Sequence, residues 1–500
     1  MASPDQGNKK LRILLIPFFA TSHIGPFTDL AVHLAAARPD AIEATVVVST
    51  ANASVVRSVL ARRHADNKAV RVATYPFPAV DGLPPGVENL STVTAADAWR
   101  ITVATFDEAQ VRPRQESLVR ELSPDAIITD MHFVWNAAVA ADLGVPCLTF
   151  QVIGVFATKA ITDLQSSSRA GLLRDTITGG AVALPRLEGE GGPEILIPET
   201  ELPEFMRSQE ILDTSVMDRI TSNAARCFGR AVNTFLDLEP GYCEAFATSL
   251  KPGPTYFVGP LALSPAGGRA AEAAEKVGGS SPCIDWLGRM PSRSVLFLCF
   301  GSLTHFTDAQ LVELALGLED SGKPFLWVVR DDTWVPPKGW VERVGERGML
   351  FKGWAPQTEI LEHPAVGAFV THCGWNSVLE TVSAGVPVLT WPMDFEQFII
   401  ERLLTEVLAI GERLFPEGAG VRSTRREEHD LVSADVVARA VARFMEPGGG
   451  GDVARGRVKE LSARARGAMA EGGASHNDLK RLIDDLMQAR TERSRSKLMA

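Results

Sequence analysis

The chain has 500 residues, 45% of them apolar, and carries a formal net charge of −11. That length predicts two or three domains, and that apolar content excludes general disorder. The acidic balance, with no strong Lys/Arg block before the last residues, excludes a nucleic-acid partner, while a small anion held by local dipoles stays open.

In chain order, RILLIPF (12–18) reads as a buried first strand. Lys9, Lys10 and Arg12 imitate the start of a secretory leader, but the apolar run is short and broken by Pro17, so it reads as a strand. A helix is predicted from Pro26 to Ala37, with the proline in its first turn. EATVVVST (43–50), AIITD (126–130) and CLTFQV (147–152) read as further strands, the last two separated by the helical stretch WNAAVAADLG. This βα alternation predicts a parallel sheet covered on both faces. The stretch KPGPTYFVGPLALSPAGGRAAEAAEKVGGSSP is rich in Gly, Pro and Ala, so residues 253–282 read as a linker. A second βα series follows: VLFLCF (295–300), a helix opening at Thr307 with Gln310 completing a capping box, then FLWVV, MLFKGW and GAFVTH. Gly448–Gly451 read as a loop, and a long helical pattern leads to the basic end TERSRSKLMA. Two similar lobes, 1–252 and 253–475, with a tail at 476–500 that packs back on the first, predict a cleft between them. Ligands in such sheets bind beyond the carboxyl ends of the strands. No run approaches the roughly 18 apolar residues of a membrane-spanning helix. Six cysteines lie far apart without CxxC or zinc-like spacing, which reads as reduced thiols in a cytoplasmic protein.

The most informative stretch is WAPQTEILEHPAVGAFVTHCGWNSVLETVSAGVPVLTWPMDFEQ, from Trp354 to Gln397. Its apolar run Val366–Val370 predicts a buried strand ending at Thr371-His372-Cys373-Gly374, then a helix starting near Asn376 or Ser377, both good N-caps. A glycine turn between strand and helix is an anion site: free N–H groups point outward and the helix end carries about half a positive charge. An acidic protein can thus hold a diphosphate locally. Trp354 is suited to stack on a flat base. Glu380, one turn beyond Asn376, can accept from two ribose hydroxyls, and Glu396 with Gln397 can pair sugar hydroxyls. Taken singly, such a Trp is more often core and such a Glu a solvated face; their joint order carries the argument.

That order closely resembles the signature box of plant secondary-product UDP-glycosyltransferases. It has the box's length, the WAPQ opening, HPAVGAFVTHCGWNS, the following Glu, SAGVP, WPM and the closing EQ. The resemblance extends to VNTFLDLE (232–239), FVGPL (257–261), CIDWLG (283–288), FGS (300–302) and GGAS (472–475). It implies an α/β GT-B fold, two Rossmann-like βαβ domains facing a central cleft, and metal-independent transfer with inversion at the sugar carbon. It also implies that Trp354 stacks on uracil, that Ala355 and Gln357 meet the uridine, and that Glu380 holds the ribose. His372, Asn376 and Ser377 then hold phosphates with Ser302, Thr21 and Gly374 join the donor contacts, and Trp375, Glu396 and Gln397 meet the sugar. In the family, Trp375 and Gln397 favour a UDP-glucose donor over glucuronate and galactose donors.

Sugar transfer needs a base for the acceptor hydroxyl, and the reference pKa of histidine, about 6.5, suits that task. His23 lies five residues past the first predicted strand, and Asp130 ends AIITD, where a carboxylate can fix the imidazole's tautomer. A helix-capping histidine and a helix N-cap are the ordinary alternatives. The resemblance assigns both as catalytic, because the family's His precedes xxP and its Asp precedes an aromatic string, here HIGP and DMHFVW. Ser22, Asp394 and Val152 depart from the family pattern, which bears on donor-sugar detail and acceptor shape. His132, His305 and His429 show no metal spacing, and no metal is expected. The expected protein is a cytoplasmic monomer without a cofactor, taking UDP-glucose as co-substrate and a small lipophilic acceptor. Pocket walls are expected from loops 80–95, 133–160 and 190–210. The competing readings are another UDP-sugar donor, a non-catalytic UDP-sugar-binding protein, and an NAD-dependent oxidoreductase, the last disfavoured by the lack of GxGxxG after a strand.

Overall fold

Buried, β-branched runs that alternate with helical stretches are satisfied by parallel sheets covered on both faces, and the chain builds two of them. The computed structural model describes residues 10–63, 69–94, 96–169, 180–184, 194–207, 214–249, 253–264, 281–303, 306–331 and 333–499. His305, residues 265–280 of the predicted linker, and residues 95, 190–193 and 208–210 of the predicted acceptor loops lie outside these. The first sheet comprises β1 (Leu11–Ile16), β2 (Ile42–Ser49), β3 (Val70–Tyr75), β4 (Ala126–Thr129), β5 (Cys147–Gln151), β8 (Gly229–Val232) and β9 (Thr255–Phe257). Its strands run parallel in the order β3-β2-β1-β4-β5-β8-β9. A short antiparallel ribbon, β6 (Ala181–Ala183) with β7 (Leu196–Pro198), lies between β5 and β8 in sequence.

The second sheet comprises β10 (Val295–Cys299), β11 (Phe325–Val329), β12 (Gly348–Lys352), β13 (Val366–Thr371), β14 (Val388–Thr390) and β15 (Gly411–Arg413). It is again all parallel, in the order β12-β11-β10-β13-β14-β15. Both orders reverse direction at one point, between β1 and β4 and between β10 and β13. Those are the switch points where open α/β sheets bind ligands. Among the described residues, no helix is long and apolar enough to cross a membrane.

Several expectations shift. Thr255–Phe257, inside the predicted linker, is the edge strand of the first sheet, because three buried residues between Gly and Pro suffice to pair with β8. The terminal helix Ala474–Met499 returns to that edge: Phe257 N–H and Tyr256 Oη donate to Asp478 and Asp485 at 2.7 and 2.6 Å. Leu479, Leu482, Ile483 and Leu486 join the first-lobe core. Gly450 and Gly451 belong to the helix Gly450–Met469 rather than to a loop. A Cβ at Gly451 would collide with the Phe444 carbonyl, so the glycine serves close packing. Thr307 does cap the helix Asp308–Asp320, accepting from Gln310 N–H at 3.2 Å. The Gln310 side chain leaves the box, however, and pairs with the backbone of Val432 at 2.9 Å in both directions.

Candidate active site

The first switch point brings His23 and Asp130 together. β1 and β4 are neighbours, with Ile16 opposite Thr129, so the chain leaving each strand emerges side by side. His23 Nδ1 lies 2.8 Å from Asp130 Oδ2. Asp130 is buried. Burial opposes its ionisation, but the imidazoles of His23 and His132, by charge and by hydrogen bonding, hold its carboxyl well below the usual carboxylate range. His132 Nδ1 lies 2.5 Å from the other oxygen, Oδ1, which also accepts the His132 backbone N–H at 3.2 Å. His132 stacks on Phe18, with ring centroids 4.2 Å apart. His132, which shows no metal spacing in sequence, carries one signal of this arrangement, its place two residues after the aspartate. His23, Asp130 and His132 form a potential metal-ligand set, with ligand atoms within 4.8 Å of one another. As it stands, each Nδ1 is already engaged by an oxygen of Asp130.

His23 sits not in a loop but in the first turn of helix α1 (Thr21–Ala37), which begins five residues before the predicted start. Pro26 lies inside this helix. It has no N–H, so the carbonyl four residues back, on Ser22, lacks its helical donor. Asn376 of the other lobe fills the gap: its Nδ2 donates to Ser22 O at 2.8 Å. Thr21 is tied to the loop near position 90, its N–H and hydroxyl lying 3.3 and 3.4 Å from Asn89 Oδ1.

The second switch point forms the anion turn. The helix after β13 runs from Trp375 to Ala384, one or two residues earlier than predicted, and its N-cap is Gly374, which offers no side chain. The backbone N–H groups of Trp375, Asn376 and Ser377 therefore open the helix without intrahelical acceptors. Cys373 takes the left-handed conformation, φ 65°, at the sharp exit from β13. Burial pushes the His372 imidazole down to about 4, so it is neutral at pH 7. Its Nδ1 is buried without a hydrogen-bond partner among the described residues. A Cβ at Gly301 would lie 2.5 Å from His372 Nε2, and one at Gly374 would meet the same atom. Glycine at both positions thus lets the FGS turn, with Ser302, approach His372.

The residues predicted to bind uridine line the same end of the sheet. Trp354 follows β12 and is 60% exposed, whereas Ala355 is buried. Gln357 Nε2 donates to Ser377 Oγ at 3.1 Å and to Glu380 Oε2 at 2.5 Å. Burial raises the Glu380 carboxyl, against the Gln357 bond and the charge of Arg63 from the first lobe.

At the sugar end, burial raises Glu396, while its own backbone N–H and the charge of His23 act the other way. Glu396 is thus within electrostatic reach of the first lobe's histidine. Gln397 is buried, and its Oε1 accepts from the N–H groups of Met393 and Asp394 at 3.0 and 3.1 Å. Only its amide NH2 remains to meet a ligand. Trp375 turns its indole into the interface between the lobes. Its indole Nε1 donates to Asn233 O of the first lobe at 2.8 Å, and its ring packs where a Cβ on Gly154 would fall. The side chain thus ties the two lobes together, while its backbone N–H stays at the open first turn of the helix.

A parallel sheet in each lobe, a His–Asp pair at one switch point and a helix-end anion turn at the other describe a two-lobed transferase of the GT-B class. Residues 279–411 match the model of the family described as UDP-glucoronosyl and UDP-glucosyl transferase. The chain is 35% identical over 489 residues to UDP-glycosyltransferase 73E1 of Stevia rebaudiana, covering 96% of this chain and 97% of that protein. It is 33% identical over 499 residues to scopoletin glucosyltransferase of Nicotiana tabacum, covering 95% and 98%. Its fold superposes on the crystal structure of UGT73P12 of Glycyrrhiza uralensis, complexed with glycyrrhetinic acid 3-O-monoglucuronide. That match has a TM-score of 0.83, 31% identity, and covers 98% of each chain. The chain belongs to the UDP-glycosyltransferase family.

Proposed function

We propose that this UDP-glycosyltransferase moves glucose from UDP-glucose to a hydroxyl of a small lipophilic acceptor, with inversion and without a metal. The observation that carries the reading is the Asn376–Ser22 hydrogen bond, which sets the anion turn of one lobe beside His23 of the other. His23 takes the proton of the acceptor hydroxyl while Asp130, through Nδ1, fixes the tautomer and stabilises the imidazolium. The acceptor oxygen bonds to the anomeric carbon as the bond from that carbon to the β-phosphate oxygen breaks, and UDP leaves with the electron pair. The N–H groups of Trp375, Asn376 and Ser377 stabilise the departing charge, with His372 and Ser302 beside them. Trp354 carries the uracil, Glu380 the ribose, and Glu396 with the Gln397 amide the sugar.

A relative named for glucosylating scopoletin supports glucose as the sugar, and a structural neighbour complexed with a glycyrrhetinic acid glucuronide supports a lipophilic acceptor. The acceptor lobe is read as extending through β9 and taking back the helix Ala474–Met499. Six free cysteines without CxxC or zinc-like spacing support a reducing, cytoplasmic setting. The test is a mass-spectrometric screen of hydroxylated acceptors with UDP-glucose, with the anomeric configuration of the product read by NMR. A β-glucoside supports the reading; an α-glucoside contradicts inversion. UDP binding without any product across a broad library identifies a binding protein instead.

A further inference from the structure

The predicted nucleobase site receives a residue from the opposite lobe. Helix α2 (Ala53–Arg62) of the first lobe ends at Arg62, whose guanidinium carbon lies 5.4 Å from the centre of the Trp354 ring. The helix end is fixed by the next residue. Arg63 donates to Asp29 at 2.8 Å and to the carbonyls of Ala262 and Leu261 at 2.7 and 3.1 Å. Arg62 itself forms no ion pair among the described residues, and its side chain is exposed. Its guanidinium thus lies over the indole, and its charge also acts on Glu380 nearby.

We propose that Arg62 caps the nucleobase, so that uracil is held between the Trp354 indole and the Arg62 guanidinium. The inference rests on reading Trp354 as the uracil platform. Flat groups stack at about 3.5 Å, so a base between the two needs them about 7 Å apart. From 5.4 Å the guanidinium has to rise by only about 1.5–2 Å, well within the reach of a long side chain. A planar, weakly hydrated guanidinium suits such stacking, where a lysine ammonium does not. The nucleotide would then draw the lobes together at its base end, as Asn376 and Ser22 do at the catalytic end.

The test is calorimetric affinity for UDP in wild type, Arg62→Ala, Arg62→Lys, Trp354→Ala and the double variant Arg62→Ala/Trp354→Ala. Inorganic pyrophosphate, measured as a competitor, serves as the probe without a base. The expected result is UDP binding weakened about two- to fivefold in Arg62→Ala, with only partial recovery in Arg62→Lys and pyrophosphate affinity unchanged. The double variant is expected to bind UDP no more weakly than Trp354→Ala alone. Unchanged or tighter UDP binding in Arg62→Ala, while Trp354→Ala still weakens it, overturns the cap and leaves the platform standing. Equal weakening of UDP and pyrophosphate also overturns the cap, since Arg62 then acts by charge on the phosphates. Unchanged UDP affinity in Trp354→Ala overturns the platform and the cap with it.

Discussion

The side-chain amide of Asn376 donates to the carbonyl of Ser22 at 2.8 Å, tying the first turn of the helix Trp375–Ala384 to the residue before His23. That carbonyl is free because Pro26 has no N–H to give it. Pro26→Ala supplies a competing helical donor. We predict that this variant keeps or gains thermal stability but loses about threefold to tenfold in kcat, the scale of one net hydrogen bond at a catalytic position. Melting curves and steady-state kinetics check this. A wild-type kcat would show that the bond between the lobes does not position His23.

Asp130 serves two imidazoles at once, and the two loads are separable. Asp130→Asn retains a hydrogen-bonding group but cannot stabilise an imidazolium. It is predicted to lower kcat by at least about a hundredfold while leaving the donor KM nearly unchanged. His132→Phe keeps the stack on Phe18 and the bond to His23, so its loss in kcat should be about tenfold or less. A variant of Asp130 that changed only donor affinity would make this residue a structural cap rather than the partner of His23.

How much of this was readable in the chain follows from range. The strand Val366–Thr371, the helix after it and the parallel character of the two sheets were within reach, because each rests on a local apolar run or a βα alternation, whereas the strand order rests on long-range pairing. β9 was missed because three residues, Thr255–Phe257, amid Gly and Pro carry no periodicity. The start of α1 was misjudged because a proline usually marks the first turn, whereas here it lies inside the helix and frees a carbonyl for the other lobe. The partners of Trp375 and Gln397, Asn233 and the Met393–Asp394 backbone, were not legible because they are set by packing and not by spacing in the motif. The arginine above Trp354 carries no sequence signal at all.

Glu239 gives a pH prediction with a definite sign. It is fully buried, accepting from Phe156 N–H at 2.7 Å and from the Thr234 hydroxyl at 2.6 Å, and burial pushes its carboxyl up to about 7. Because the folded value lies above the unfolded one, the native state holds its proton more tightly. The stabilisation is complete below about pH 4.5 and is lost as pH rises through about 7. Glu239→Gln stays neutral throughout. Its stability relative to wild type should therefore improve between pH 5 and pH 8, by up to about 3 kcal/mol. Denaturant melts at both pH values measure this; a constant difference would mean that Glu239 is already ionised at pH 5.

Donor choice should lie at the Glu396–Gln397 end of the box. UDP-glucose and UDP-galactose differ in the orientation of one hydroxyl, and an unpaired polar group in a dry cleft costs roughly 1–3 kcal/mol, so about tenfold to a hundredfold preference for glucose is expected. With Oε1 of Gln397 engaged by the backbone, its NH2 is the group expected to read the hydroxyl. Comparing kcat/KM for both donors in wild type and Gln397→His checks this. Equal wild-type values, or an unchanged ratio in the variant, would place donor choice elsewhere.

The central claim is that His23, held by Asp130, is the base that activates the acceptor and has no part in gripping the nucleotide. The most direct measurement pairs single-turnover rates with UDP affinity in His23→Ala, using a hydroxyl acceptor that is not ionised at the assay pH. The account predicts a rate about 10²–10⁴-fold below wild type with UDP affinity essentially unchanged. A near-wild-type rate, or a rate loss matched by an equal loss of UDP binding, would contradict it.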